Sequence, residues 1–556
     1  MMTLSRRMIV SLASFPLVLS LAGTASGDAV GTAIQSRLSD LASRRIADIA
    51  GEGIVSLPVL QQVYTVSTRF APVWDTPVLA DPLVRALESS AEHGLTPGDY
   101  HLEAIRTLRA RPASSPQAAA DLDLLMSDAM LRLAYHLHFG KVDPERLDPD
   151  WNMARVVEGF DPAAWFQRAI ASGDAAGALA ALAPARPYYW ELRRVLSEYR
   201  AIAASGGWPA VPAGPALRPG MNDPRVPMIR RRLAVTGDWI GSFPSDSALY
   251  DDSLAAAVRR FQYRAHETED GVAGASTIQA MSVPAARRVD QVRIDLERAR
   301  WAMHDLADTL VVVNISSSNV YLMEQEQVTW RARCMVGQPS RKTPVFADRM
   351  RYLEFNPTWT VPRGILAKDI LPAGKRGEAI LERKHLKAID GAGRVVAPSS
   401  IDWSRYTAST FPYALRQDPG PQNALGRVKF MFPNHHSVYL HDTPSRDLFA
   451  HSRRTFSSGC VRVENPLQLA ERLLADSVRW NAAAIQRVVD SGRTTRVDLA
   501  RPLPVLLLYW TVSVDDQGKV RFSDDVYRRD APVLKALDEP FRPRARPLGK
   551  PAPPAR

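Results

Sequence analysis

The stretch SSGCVRVEN, residues 457–465, places Cys460 directly after Gly459 and two residues before Arg462. A free thiol titrates near pH ~8.5, so at neutral pH it needs a base or a nearby positive charge to act as a nucleophile. His441, 19 residues upstream in SVYLHDTPS, is the best-placed base. Tyr439 and His441 alternate onto one face of an expected strand that stops at DTP, near a cleft. Gly459 permits a tight turn that exposes the thiol and aims the backbone N–H groups of Ser458, Gly459 and Cys460 at one point, as an oxyanion requires. Arg462 has three readings: it stabilises a thiolate, holds a substrate carboxylate, or pins the loop. Asn465, Pro466 and Gln468 read as the N-cap, first turn and capping-box partner of a following helix. The bland alternative is a buried structural cysteine, and spacing alone leaves the two readings level.

The only other cysteine, Cys334 in RARCMVG, reads as a core strand residue, not bonded to Cys460. His435, His436 and His451 read as loop residues. No metal site is expected from them with Cys460, because their spacing fits no tetrahedral set, and no cofactor is expected.

The elements that must hold these groups form a multidomain α+β chain. Residues 1–27 have the build of a signal peptide: Arg6 and Arg7, an apolar run to Leu21, then small residues. A lead-in over 28–57 precedes a helical scaffold domain at 58–206. There DLDLLMSDAMLRLAYHLHF keeps helical spacing, and Thr96 and Pro97 suggest a helix start. A Gly/Pro/Ala linker at 207–220 leads to a small three-helix module at 221–284. A connecting helix follows at 285–308. From Thr309 the chain turns β-rich, with alternating, β-branched segments and a turn at SSSN. A mainly-β catalytic domain is expected at 309–480. An insertion at about 362–426 serves as a lid or substrate wall. A C-terminal helix and hairpin at 481–540 complete the scaffold, and the Pro/Arg-rich tail 541–556 reads as disordered.

The formal charge is +11 over 556 residues, but Arg6 and Arg7 supply two of these charges and the tail five, leaving +4 elsewhere. A basic folded face of the kind that binds nucleic acid is therefore not indicated. No segment after the leader is apolar enough to insert in a membrane. The leader implies export.

Two resemblances add to this. YDDSLAAAVRRFQ, DGVAG and STI resemble the peptidoglycan-binding domain 1 family. HDTP and FSSGCVRVENP resemble the signature of L,D-transpeptidases of YkuD-like fold, Ser-x-Gly-Cys-[Val/Ile]-Arg after an upstream His, matched by Ser457, Gly459, Cys460, Val461, Arg462 and His441. NPTWTVP, FPYALRQDPGPQNALGRVKFMFPN, HGLTPGDYHL and LHFGKVDP resemble the large periplasmic, YcbB-like subgroup, which carries a helical scaffold, an inserted peptidoglycan-binding module and a lid. Ser458 departs from relatives that have His there, which leaves His441 as the one histidine of the motif.

The resemblance implies a periplasmic enzyme acting on peptidoglycan stem peptides as donor and acceptor. Cys460 attacks the L-centre carbonyl of diaminopimelate in a tetrapeptide, D-Ala leaves protonated by His441, and a second stem's amine resolves the thioester into a 3→3 cross-link. It further implies that Asp442 orients His441 by backbone or side chain, that Asn423, Gly426 and Tyr439 line the pocket, and that RQDPGP edges the lid. Carbapenems commonly acylate such a thiol. Two alternatives stand beside this: the same acyl-enzyme used for L,D-carboxypeptidase activity or for anchoring an envelope protein, and a non-catalytic peptidoglycan-binding envelope protein. A papain-like protease fits less well, because its cysteine precedes its histidine.

Overall fold

The computed structural model describes residues 22–44, 47–110, 115–153, 160–243, 248–304 and 306–541, with side chains from residue 28. The expected signal peptide lies outside the described residues up to position 21, and the tail lies outside them beyond Phe541. Among the described residues no helix is long and apolar enough to cross a membrane.

The chain has a helical N-terminal region, a peptidoglycan-binding-like three-helix module and a mainly-β YkuD-like domain. In the first, helix α1 (Ala22–Ser43) buries Ile34, Leu38 and Leu41 in one core with α2 (Pro116–Phe139). The segment expected as a lead-in therefore supplies core side chains. His136 is buried against the Tyr100 hydroxyl at 3.0 Å. Thr96 is extended and makes no side-chain cap; Pro97–Tyr100 forms a single 3₁₀ turn.

The small module consists of α3 (Val226–Val235), α4 (Asp252–Arg264) and α5 (Ala275–Met281) around one apolar core. Asp251 caps α4 by accepting from Leu254 N–H at 2.8 Å. Part of the expected linker belongs here, because Leu217 is buried and pairs with Ala273.

Helix α6 (Ala285–Ala302) is more than a connector. Four of its charged residues, Asp295, Glu297, Arg298 and Arg300, are buried and paired. Arg298 lies between Asp295 (3.0 Å) and Asp530 (2.7 Å), and Glu297 holds Arg300 at 2.5 Å. Asp295 also accepts from Val512 N–H at 2.6 Å, which ties the helix to the C-terminal hairpin Val512–Val514/Val520–Phe522.

The β domain is a closed ring. Its strands are β1 (Thr309–Asn314), β2 (Asn319–Glu324), β3 (Gln327–Gly337), β4 (Phe346–Phe355), β5 (Val428–Met431), β6 (Leu440–His441), β7 (Thr455–Ser457), β8 (Val461–Val463) and β9 (Thr495–Leu508). The order is β3-β8-β6-β5-β4-β9-β1-β2, and β2 pairs back to β3; β7 lies outside the ring beside β3. Closure leaves no free sheet edge in the ring itself. Strand β1 is apolar on both faces: Val311 and Val313 fill the ring, while Leu310 and Val312 pack outward with Leu506 and Leu508.

Strand β9 corrects an expected boundary. Residues 495–508 were placed with the scaffold, yet they pair with β4 and β1 inside the ring. Pro502 and Pro504 and a polar first half hid the strand, and the ladder is irregular between Asp498 and Leu503.

Three short strands of the insertion join Trp359–Thr360, just before it, in a four-stranded sheet with its own apolar core, including Trp359, Leu366, Ile370 and Leu415. Tyr439 packs against both this core and that of the ring.

Candidate active site

Strands β6 and β8 run parallel, with Leu440 opposite Val461 and His441 opposite Arg462. Leu440, Val461 and Val463 are fully buried in the ring core. The alternate positions, Tyr439, His441, Cys460 and Arg462, therefore share the outer face. Cys460 lies across from Tyr439, whose carbonyl accepts from Val461 N–H at 3.1 Å.

His441 and Cys460 are thus diagonal neighbours. Such positions are separated by roughly 7–8 Å in a sheet, a gap that side chains can close. Among the described residues no hydrogen bond joins them. The sulfur donates instead to the Ser437 carbonyl at 3.7 Å. The Tyr439 ring meets the imidazole edge-on, with centroids 5.7 Å apart.

His441 Nδ1–H donates to the Asp442 backbone carbonyl at 2.5 Å, which fixes the tautomer with the lone pair on Nε2. Burial, and then the Arg462 charge, push the imidazole down to about 3. Burial pushes the Cys460 thiol up to about 11, against the opposing pull of Tyr439 and Arg462. The resting pair is a neutral thiol beside a neutral imidazole. Arg462 Nε is buried and has no hydrogen-bond partner among the described residues. Cys334 is fully buried, its thiol pushed up to about 12 by burial, and both cysteines are free.

The loop that carries Cys460 is held from several sides. Gly459 has φ +125°, in the region that favours glycine. Its carbonyl accepts from Thr343 Oγ1 at 2.8 Å, and its N–H donates to Ser457 Oγ at 3.1 Å. Ser457 Oγ in turn donates to the Cys460 carbonyl at 2.5 Å. Of the three amides expected to face an oxyanion, that of Gly459 is therefore occupied. The Ser458 and Cys460 N–H groups have no acceptor among the described residues. Ser458 Oγ accepts from Arg341.

Other expected site residues have different surroundings. The Asp442 carboxylate does not reach the imidazole; it takes Arg427 N–H at 3.0 Å and Arg427 Nε at 2.9 Å. Gly426, expected to line the pocket, has φ +60°, and a Cβ there would lie 2.5 Å from Asp442 Cβ, so it makes room for Asp442. Asn423 is buried and its amide is spent internally: Nδ2 donates to the Pro357 carbonyl, just past β4, and to the Asp418 carbonyl, and Oδ1 accepts from Leu425 N–H. Asn465 adopts the left-handed region at φ +52° and makes no side-chain cap, because the turn out of β8 uses it as a backbone corner. His435 and His436 lie in the turn between β5 and β6, where one ring nitrogen of each and an Asp150 oxygen lie within 4.8 Å of one another, a group that excludes Cys460. Thr343, Arg341 and Ser437 had no local signal in the sequence, since their roles depend on contacts across strands.

Comparison with known proteins agrees with this architecture. Residues 58–196 match the family model described as "Scaffold domain", residues 222–281 that described as "Putative peptidoglycan binding domain", and residues 308–497 that described as "L,D-transpeptidase catalytic domain". A protein of Haemophilus influenzae named "Putative L,D-transpeptidase" is 35% identical over 223 residues, which is 40% of this chain and 45% of that protein. The match thus spans less than half of that relative's length. Among solved structures, an L,D-transpeptidase from Mycobacterium smegmatis is 13% identical over 36% of this chain and 59% of its own, with a TM-score of 0.17. An L,D-transpeptidase from Stackebrandtia nassauensis is also 13% identical, over 53% and 97%, with a TM-score of 0.21.

Proposed function

We propose that this chain, which carries an L,D-transpeptidase catalytic domain at residues 308–497, forms 3→3 peptidoglycan cross-links through a Cys460 thioester, in the compartment that holds the wall. The observation that carries the reading is the pairing of β6 with β8, which gathers Cys460, His441, Tyr439 and Arg462 on one outer face next to the insertion.

Cys460 Sγ attacks the L-centre carbonyl of diaminopimelate in a stem tetrapeptide. Because the resting groups are both neutral, the thiol proton passes to His441 Nε2 as the C–S bond forms, and not beforehand. The Asp442 carbonyl holds the imidazole through this step and stabilises its positive form. The open amides of Cys460 and Ser458 are the donors for the oxyanion. Collapse breaks the C–N bond, and His441 returns the proton to the departing D-Ala nitrogen. The amine of a second stem then attacks the thioester, loses its proton to His441, and the thiol is regenerated. The peptidoglycan-binding-like module fits the same polymeric substrate.

Acylation by a carbapenem, read by intact mass, tests the reading. One covalent adduct on the wild-type chain and none on Cys460→Ser is the expected result. No adduct on the wild type would return the chain to the class of wall-binding proteins without catalysis. Incubation with disaccharide-tetrapeptide then separates cross-linked dimer from the tripeptide that a carboxypeptidase releases.

A further inference from the structure

Arg341, in the loop between β3 and β4, joins two segments far apart in sequence. Its Nη1 donates to Asp369 Oδ2 at 2.7 Å and to Ser458 Oγ at 2.9 Å, and its Nη2 donates to Asp369 Oδ1 at 2.5 Å. Asp369 belongs to the insertion, on the π-helical turn Leu366–Ile370. Ser458 is two residues before the nucleophile. A carboxylate supplied by the insertion therefore sits in a two-pronged guanidinium fork at the edge of the nucleophile loop.

This is the geometry by which arginine recognises any planar carboxylate. The fork is not sealed: the Arg341 and Asp369 side chains are 20% and 35% exposed. The π-turn under Asp369 is an irregular backbone of the kind often found at functional sites.

We propose that Arg341 is the subsite for the C-terminal carboxylate of the acyl donor, and that Asp369 occupies it in the resting enzyme. The inference rests on the reading of Cys460 as the residue acylated by a stem tetrapeptide. In such a donor the scissile carbonyl is bonded to the nitrogen of the terminal D-amino acid. Its carboxylate then lies about one residue's length, roughly 3.8 Å, beyond the reacting bond. A fork beside Ser458 is well placed to meet it. Donor entry displaces Asp369 from Arg341, so the insertion shifts only when an acid-ended peptide arrives. No bond is made or broken at Arg341.

The test compares two donors on the full-length chain: disaccharide-tetrapeptide with a free terminal carboxylate, and the same molecule as its terminal carboxamide. Acyl-enzyme formation is followed by intact mass. The wild type is expected to favour the acid in kcat/KM by roughly tenfold or more, and Arg341→Gln to level the two. Asp369→Asn, which keeps the shape of the side chain, is expected to lower KM for the acid several-fold and leave the carboxamide unchanged. A purely structural latch would instead weaken both donors alike in Asp369→Asn. Equal wild-type rates on the two donors, a wild-type preference retained in Arg341→Gln, or equal weakening of both donors in Asp369→Asn would overturn the subsite. Failure of the wild type to acylate with either donor, or with a carbapenem, would overturn the acyl-transfer reading beneath it.

Discussion

Arg462 stands directly across the β6–β8 pair from His441, and its charge is the second cause, after burial, of the lowered imidazole pKa. The same guanidinium favours the thiolate of Cys460. One cation therefore acts on both the imidazole and the thiol.

Replacing Arg462 by Gln removes that charge. The His441 pKa, held at about 3, is expected to rise toward the ordinary range. Acylation needs the neutral imidazole, so the acid limb of the pH–rate profile moves to higher pH. A profile of carbapenem acylation from pH 3 to 8 reads the shift. An unmoved acid limb would separate the guanidinium from the imidazole.

With its pKa pushed up to about 11, the Cys460 thiol is expected to alkylate slowly at pH 7 and progressively faster as pH rises toward that value. Cys334 is fully buried and is not expected to react in the native chain. Native iodoacetamide treatment should therefore add one group, located at Cys460 by peptide mapping. Two adducts without unfolding, or a fast pH-independent reaction, would contradict the burial assigned to the two sulfurs.

Thr343 donates to the Gly459 carbonyl and accepts from Gly337 N–H at 2.9 Å. Thr343→Val keeps the shape and leaves both buried partners unpaired. A stability loss of about 1–3 kcal/mol is expected in urea titration. Acylation should fall by about tenfold or more, because the peptide that orients the Cys460 N–H is no longer anchored.

Gly426→Ala places a Cβ 2.5 Å from that of Asp442, at a φ of +60°. The expected loss is about 1–3 kcal/mol, from backbone strain and the clash together. Because Asp442 also supplies the carbonyl that holds His441, acylation should drop beyond what the fraction folded explains. Thermal melts alongside acylation rates separate the two effects.

The placement of His441 and Cys460 on one face of neighbouring strands was legible because it depends on local features: alternation in SVYLHD and a glycine before the thiol. The orienting carbonyl of Asp442 was half legible, since sequence cannot choose between a residue's backbone and its side chain. Asn423 and Gly426 read as pocket residues in the sequence, whereas their surroundings are internal: hydrogen bonds to backbone groups of two segments in one case and steric room for Asp442 in the other. Strand β9 was hidden by its prolines, and α6 read as a connector because paired buried charges look, in sequence, like a solvated face. The Arg341–Asp369 contact joins two segments that only the folded chain brings together, so no local pattern announces it.

The position of β9 bears on how the chain is cut. The family match stops at residue 497, within a strand whose later half, Val505–Leu508, lies alongside Val311–Asn314. A fragment ending there would open the cylinder between its first and fourth staves, leaving two raw margins of unpaired amides. The next residues, Trp510 to Val514, run on into the hairpin anchored by Asp295 on α6. The platform under Cys460 is therefore stitched to the helical half of the molecule, and a freestanding cassette has to carry its strand through Leu508.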